Sequence, residues 1–258
     1  IMNHSRLLLL NTASLYVKIV VNTVVQLLAT RLALRSLGSD AYGLYNLIAG
    51  VIVLLSFLNG SLTISVQRFL SISIGEKSES KLKIIFNVSL KIHTLFALGL
   101  TVCFLLLQPI LFHGFLNIPE ELHGTAIRVY DLMILSSAVT MLVIPYSACI
   151  NAHEDLWFFA ISEVTSALLK LWAAVSLLLF SGNLLIIYTV FMLLAIVISA
   201  FMRFVWCKMK YPECHAKLEL MRDKDLMREM FGFIGWNTLG SSAVVVRNQG
   251  IAVVLNLF

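Results

Sequence analysis

The chain has 258 residues, of which 59% are hydrophobic and only 13% charged; a soluble globular domain carries about 25% charged residues. With a mean hydropathy of +0.91, this composition excludes an ordinary soluble enzyme and defines a polytopic membrane protein. The formal charge of +5, from 19 basic and 14 acidic residues, then bears on membrane topology rather than on nucleic acid, and no patch interleaves basic with aromatic residues.

The first apolar segment, Leu7 to Ala33, exceeds the roughly 20 residues a membrane span needs. It is too long for a signal-peptide core and lacks a convincing cleavage site, so it reads as a retained span. Asn11, Ser14, Lys18, Asn22 and Gln26 recur every three or four residues and so share one helical face. A lysine in lipid costs several kcal/mol, about 3 or more, which turns that face toward a protein interior or a wet cavity.

A second segment, from Tyr42 to about Ile74, is too long for one straight span. Asn59-Gly60-Ser61 marks an expected bend, with the far end projecting into the cytosol. The third runs over Ile84–Phe112, the fourth Ala126–Ile150, the fifth Leu156–Phe180 and the sixth Leu184–Val205. Pro145 is expected to kink or end the fourth. Lys217 to Glu229 mixes Leu218, Leu220, Met221, Leu226 and Met227 with charges, the pattern of an amphipathic interfacial helix that feeds the next span. A seventh segment starts near Met230 and is still apolar at Phe258. Asn237, Thr238 and Asn248 in it repeat the spacing of Asn11, Thr12 and Asn22, as expected if a second lobe begins here and the chain is a fragment.

Basic residues orient the spans. Lys77, Lys81 and Lys83 follow the second, and Lys208, Lys210, Lys217, Arg222, Lys224 and Arg228 follow the sixth. The loop after the third holds Glu120 and Glu121 and no Lys or Arg, and Ser181-Gly182-Asn183 is uncharged. The N-terminus and loops two, four and six are therefore expected on the cytoplasmic side. Arg31 and Arg35 at the outer end of span one run against the rule, as do Glu154 and Asp155 in loop four.

Within the spans lie Lys18, Lys91, His93, Arg128, Asp131, Glu163, Lys170 and Arg247, with Arg68 toward the end of the second. One reading is structural: Glu163 and Lys170 pair along the fifth helix, and Ser, Thr and Asn residues bond between helices. The other is functional, because the cations outnumber the acids and a cationic wet cavity attracts a phosphate or an acidic sugar. Lys18, Lys91, Lys170 and Arg247 are then cavity cations, Arg68 sits nearer the cytoplasmic mouth, and Asn22 and Gln26 hydrogen-bond glycan or water. Asp131 and Glu163 balance charge or couple to H⁺ or Na⁺.

No enzyme is expected. The six histidines are scattered, no HExxH, GxSxG or phosphate loop appears, and no outer loop is large enough for a polymerase or ligase site. No cofactor or metal is expected either. Cys103 and Cys149 fall in apolar segments. Cys207 and Cys214 fall in what reads as a basic loop, without zinc spacing, so all four read as unpaired thiols.

LGSDAYGLYNL (Leu37–Leu47), FLNGSLTISVQRFLS (Phe57–Ser71), LNIPEE (Leu116–Glu121), VIPYSACINAHED (Val143–Asp155), YPEC (Tyr211–Cys214) and REMFGFIGWNTLGS (Arg228–Ser241) stand in an order and spacing that resemble the polysaccharide biosynthesis proteins. These are the O-antigen and capsule repeat-unit flippases of the MOP exporter superfamily, which are MATE-like. The resemblance implies an all-α, polytopic transmembrane bundle: a MATE-like N-terminal lobe of six helices (1–206), a cytoplasmic linker (207–229) and the first helix of an incomplete C-terminal lobe (230–258). It implies flipping of an undecaprenyl-pyrophosphate-linked oligosaccharide across the bacterial inner membrane by alternating access. The implied partners are that anionic lipid, membrane lipids and polysaccharide assembly proteins, with no nucleic acid. The alternatives are a MATE-type H⁺- or Na⁺-coupled drug antiporter and a non-transporting truncated subunit.

Overall fold

The computed structural model describes the backbone of residues 4–53, 57–112, 118–215 and 223–257, and side chains within 9–52, 59–112, 118–215 and 223–240. The described residues form seven helices and a 3-10 turn, with no strand among them. They are α1 (His4–Val53), α2 (Phe57–Gly75), α3 (Glu79–Ile110), α4 (Glu120–Ala152), α5 (Leu156–Ser176), α6 (Leu184–Lys210), the turn Pro212–Cys214 and α7 (Lys224–Leu257). Five candidate spans are long and apolar enough to cross a membrane. Helices satisfy their own backbone groups, as lipid requires of any open segment.

Helix α4 is the centre of the bundle. It packs against α1, α2, α3, α5 and α6. Of its most apolar stretch 56% is buried inside the protein, against 33% at most for the other candidate spans. Leu62, Val66, Phe86, Ile92, Met141 and Ile150 form a core on one side of it. A second core gathers Leu44, Ile48, Phe104, Tyr130 and Leu185. The outer faces carry exposed Leu9, Val20, Leu27, Leu106, Leu179 and Phe201, an apolar surface too extensive for water and suited to lipid. Buried Ser65, on the α2 face, donates to the Ser61 carbonyl one turn back, so its hydroxyl needs no outside partner.

Hydrogen bonds between distant loops define the two ends. At one end, Asn11 Nδ2 donates to the Glu154 carbonyl (2.7 Å), Asn87 Nδ2 donates to the His215 carbonyl (3.4 Å), and Lys210 Nζ meets Asp155 at 2.6 Å. At the other end, Asn183 Nδ2 donates to Thr125 Oγ1 (2.7 Å). The N-terminal part of α1 and the turns after α4 and α6 therefore share a side, as the loop charges require. The structure also accounts for the acidic fourth loop: Asp155 is buried and ion-paired with Lys210, and Tyr211 Oη donates to the same carboxylate. Burial, reinforced by that bond to Asp155, pushes the Tyr211 phenol above its ordinary range and keeps it a donor.

Five sequence expectations are corrected or sharpened. The break between the first two spans is a single residue, Gly38, at φ 81° and ψ 169°. This region is essentially closed to residues with a Cβ. No bend interrupts Asn59-Gly60-Ser61, which lie within α2. Of the two outcomes expected at Pro145, a kink or an end, the end is ruled out, because α4 continues to Ala152. Helix α6 runs to Lys210, which places Cys207 on a buried helical turn rather than in a loop. Helix α7 starts at Lys224, ahead of Met230; the first part of the expected amphipathic helix, 217–222, lies outside the described residues.

Gly38 and Gly60 give a paired test. Nothing lies within 4 Å of a Cβ added at either position, so backbone conformation alone decides the outcome. Gly38→Ala is expected to destabilise by about 1–3 kcal/mol. Gly60→Ala, inside a helix, is expected to stabilise by about 0.5–1 kcal/mol. Equilibrium unfolding of the detergent-solubilised variants checks both signs.

Candidate functional site: a cationic cavity between helices one, five and six

Helix α5 carries Glu163, Ser166 and Lys170 along one face. In a segment surrounded by lipid such residues turn inward. Glu163 meets Arg203 of α6 in an ion pair. The guanidinium is almost fully buried, and serines take up its remaining donors. Nε donates to Ser162 Oγ (3.0 Å), Nη1 to Ser147 Oγ (3.0 Å) and Nη2 to Ser199 Oγ (3.4 Å) as well as to Glu163. The Phe159 ring centroid lies 4.8 Å from the Arg203 guanidinium and 5.1 Å from Lys18 Nζ, within the range of cation–π attraction. One arginine thus joins α4, α5 and α6. Its planar fork of five donors suits a set of acceptors spread over several helices.

Beside this pair a cavity of about 360 Å³ opens between α1, α5 and α6, lined by Asn22, Gln26, Tyr42, Tyr45, Glu163 and Lys170 among others. Asn22 Oδ1 is buried there without a hydrogen-bond partner among the described residues. Tyr45 stands edge-on to Tyr188 at 5.1 Å between ring centroids and stacks on Tyr42 at 6.3 Å. A cavity of about 200 Å³ adjoins Lys170, Glu163, Thr140 and Arg203. Another of about 230 Å³ reaches Asn59, Ser136, Thr140 and Thr189. Lys170 lines all three and makes no ion pair among the described residues.

Asn22, Gln26, Glu163 and Lys170 therefore come together as a site. Lys18 is half-buried beside them, under the Phe159 ring and on a separate cavity of about 430 Å³ between α1 and α5. Arg68 is exposed on α2 and lies over the Phe233 ring of α7 at 4.3 Å. Lys91 is half-buried on α3 and lines none of these cavities. Asp131 is exposed and accepts from Gln108 Nε2 at 3.1 Å. Arg247 belongs to α7, but its side chain is outside the described residues. Asn237 Nδ2 donates to the Ser61 carbonyl (3.0 Å), seating α7 on α2.

Two sequence readings are corrected. Glu163 pairs with Arg203 and not with Lys170: positions seven apart on one helix are separated by about 10 Å of rise. The wall opposite α5 is α6 rather than α3, which contributes only Leu100 to the 230 Å³ cavity. Arg203 escaped notice because it stands near the end of an apolar run that passes into Lys208 and Lys210. Ser147 and Ser199, set among apolar residues, and Ser162, next to Glu163, are the signal that marks its partners.

No family model and no curated protein matches the sequence. The fold does match solved structures. One is the outward-facing conformation of a multidrug resistance MATE family transporter of the MOP superfamily, with TM-score 0.76 and 14% identity over 93% of this chain and 53% of the other. Another is a MOP superfamily transporter from Pyrococcus furiosus, described as having a binding pocket of reversed polarity, with TM-score 0.72 and 16% identity over 92% and 52%. A MATE protein in its straight conformation gives TM-score 0.75 and 13% identity over 93% and 53%. The fold is thus MATE-like, and this chain spans about half the length of the structures it matches.

Removing the arginine strands a carboxylate. Arg203→Ala is expected to destabilise by about 2–3 kcal/mol, below the 3–5 kcal/mol of a fully buried pair because Glu163 keeps 34% of its side chain exposed. Adding Glu163→Gln to that variant is expected to restore part of the loss. Thermal unfolding of the two variants checks the order.

Proposed function

We propose that the chain is the N-terminal lobe and the first helix of the second lobe of a transporter that moves an anionic, lipid-linked cargo by alternating access. The cargo class is an undecaprenyl-pyrophosphate-linked oligosaccharide for surface polysaccharide assembly. In this reading residues 1–206 form the first lobe, 207–229 the linker and 230–258 the start of the second. The protein lies in the bacterial cell membrane with its N-terminus in the cytoplasm.

The observation that carries the reading is the charge balance of the cavity. Its carboxylate, Glu163, is neutralised by Arg203, while Lys170 borders three cavities without an anionic partner among the described residues. A half-buried lysine next to Asn22, Gln26 and tyrosine hydroxyls offers a point charge and hydrogen-bond donors. These are what a pyrophosphate followed by sugars requires. Lys18 adds a second positive charge on the neighbouring α1–α5 cavity. Lys91, Arg68 and Arg247 remain proposed cations along the path, and Asp131 and Glu163 remain candidates for charge balance or ion coupling.

A second reading, a drug antiporter, is favoured by one feature: Tyr42, Tyr45 and Tyr188 line the same cavity, and aromatic rings attract organic cations. The unpaired lysine works against that cargo by like-charge repulsion.

The two readings part on one substitution. In the full-length transporter, Lys170→Ala is expected to reduce surface glycan at least ~10-fold, the effect of about 1.4 kcal/mol, with the protein still folded and membrane-inserted. Lys170→Arg is expected to retain most export. Unchanged glycan in Lys170→Ala, together with gained or undiminished efflux of cationic dyes, would favour the antiporter.

A further inference from the structure

We propose that the protein binds a thiophilic divalent metal ion, zinc by its donor chemistry, where the end of α4 meets the 3-10 turn after α6. The ligands are Cys149 Sγ, His153 Nε2, a carboxylate oxygen of Glu213, and Cys214 Sγ.

Cys149 and His153 are four residues apart at the C-terminal end of α4, so they project from one face. Glu213 and Cys214 are adjacent in the turn Pro212–Cys214. The ligand atoms of Cys149, His153 and Glu213 all lie within 4.8 Å of one another, and Cys214 Sγ is 3.5 Å from Cys149 Sγ. A tetrahedral zinc site with Zn–S near 2.3 Å and Zn–N or Zn–O near 2.05 Å has edges of about 3.8 Å for S–S, about 3.6 Å for S–O and about 3.3 Å for N–O. The corresponding separations are 3.5 Å for Cys149–Cys214, 3.7 Å for Cys149–Glu213 and 2.5 Å for His153–Glu213. Two edges are within about 0.3 Å of the tetrahedral values. The third is the hydrogen bond that an entering ion replaces, and Cys214, the donor outside the 4.8 Å group, closes in as the fourth ligand.

The surroundings are those of a built site. Cys149, Cys207 and Cys214 are fully buried, and Glu213 nearly so. Glu213 is enclosed with two thiols and the His153 imidazole, a donor set of sulfur, nitrogen and oxygen atoms that suits a thiophilic cation. Cys207 stands behind the ligands, with its thiol directed to the Tyr146 carbonyl at 3.4 Å. Tyr211 stacks on the His153 ring at 4.2 Å between centroids, tilted by 8°. That contact fixes the imidazole plane, as outer-shell groups do in metal sites. The ion would staple two segments about 60 residues apart in sequence, at the end of the bundle that carries the N-terminal part of α1. This inference rests on that geometry and is independent of the cargo.

The test uses the whole protein purified in detergent, kept reduced by a thiol-free phosphine and stripped of metal. Titration with cobalt(II) is expected to saturate at one equivalent, with tetrahedral visible bands and a thiolate-to-cobalt charge-transfer band that zinc(II) abolishes. Cys149→Ser and Cys214→Ser are each expected to lower the charge-transfer intensity and the double variant to remove it, and Cys103→Ser to leave it intact. His153→Ala is expected to weaken zinc binding by at least the ~10-fold that outer-shell changes cause. The wild-type spectrum decides the matter even where a variant fails to fold. A wild-type protein with no thiolate charge transfer, or one in which Cys149 and Cys214 resist alkylation until reduced as a disulfide, would overturn the site.

Discussion

The Glu163–Arg203 ion pair is the constraint on which the polar interior depends. Lipid offers neither residue a partner, and a charge enclosed alone costs several kcal/mol, about 3–5. Arg203 therefore has to find Glu163 across the α5–α6 interface, and Ser147, Ser162 and Ser199 have to stand where its other donors point. That requirement fixes the rotation of α5 about its axis. With Glu163 turned to α6, Lys170 two turns further on faces the same interior. The unpaired cation of the cavity is thus a geometric companion of the paired one.

The same logic orders the bundle from its centre outward. Helix α4 is the most enclosed of the candidate spans, leaving a narrow face with Arg128, Asp131, Leu135 and Leu142 exposed. Helices α1 and α3 expose leucines and valines outward and keep asparagine, serine and lysine for inner faces. Packing among helices draws little on water exclusion where lipid surrounds them. Shape, small residues and a few buried polar contacts then decide which helices adjoin. The aromatic stacking of Phe158 on Trp206, at 4.0 Å between centroids, and the tyrosine pair at the cavity are of this kind.

Much of this was legible in the sequence. The number and order of the apolar runs follow from length and periodicity, and the polar stripe of α1 does place Asn22 and Gln26 on a cavity. Gly38 lies between the two segments where the gap was read, although nothing local shows that one residue turns the chain. Residues far apart in sequence escaped the reading. Arg203 looks like the first of a basic cluster at a span's end, and only packing shows that it is enclosed. Cys149 and Cys214 have no metal-like spacing, because tertiary contact and not local chain geometry brings them to 3.5 Å. Pro145 signals a kink or an end by its missing N–H, yet α4 continues past it through the buried stretch from Ile144 to Ile150.

Asp155 shows how such distant contacts redistribute local stability. It stands at the N-cap of α5, where a short acidic side chain ordinarily binds the first free amides. Here the side chain makes no such bond; its carboxylate is engaged by Lys210, the last residue of α6, and by Tyr211 just after it. The start of α5 is consequently anchored through another helix's tail instead of by its own cap. Fraying, which usually begins independently at each helix end, is here shared: the first turn of α5 and the last turn of α6 melt together or not at all.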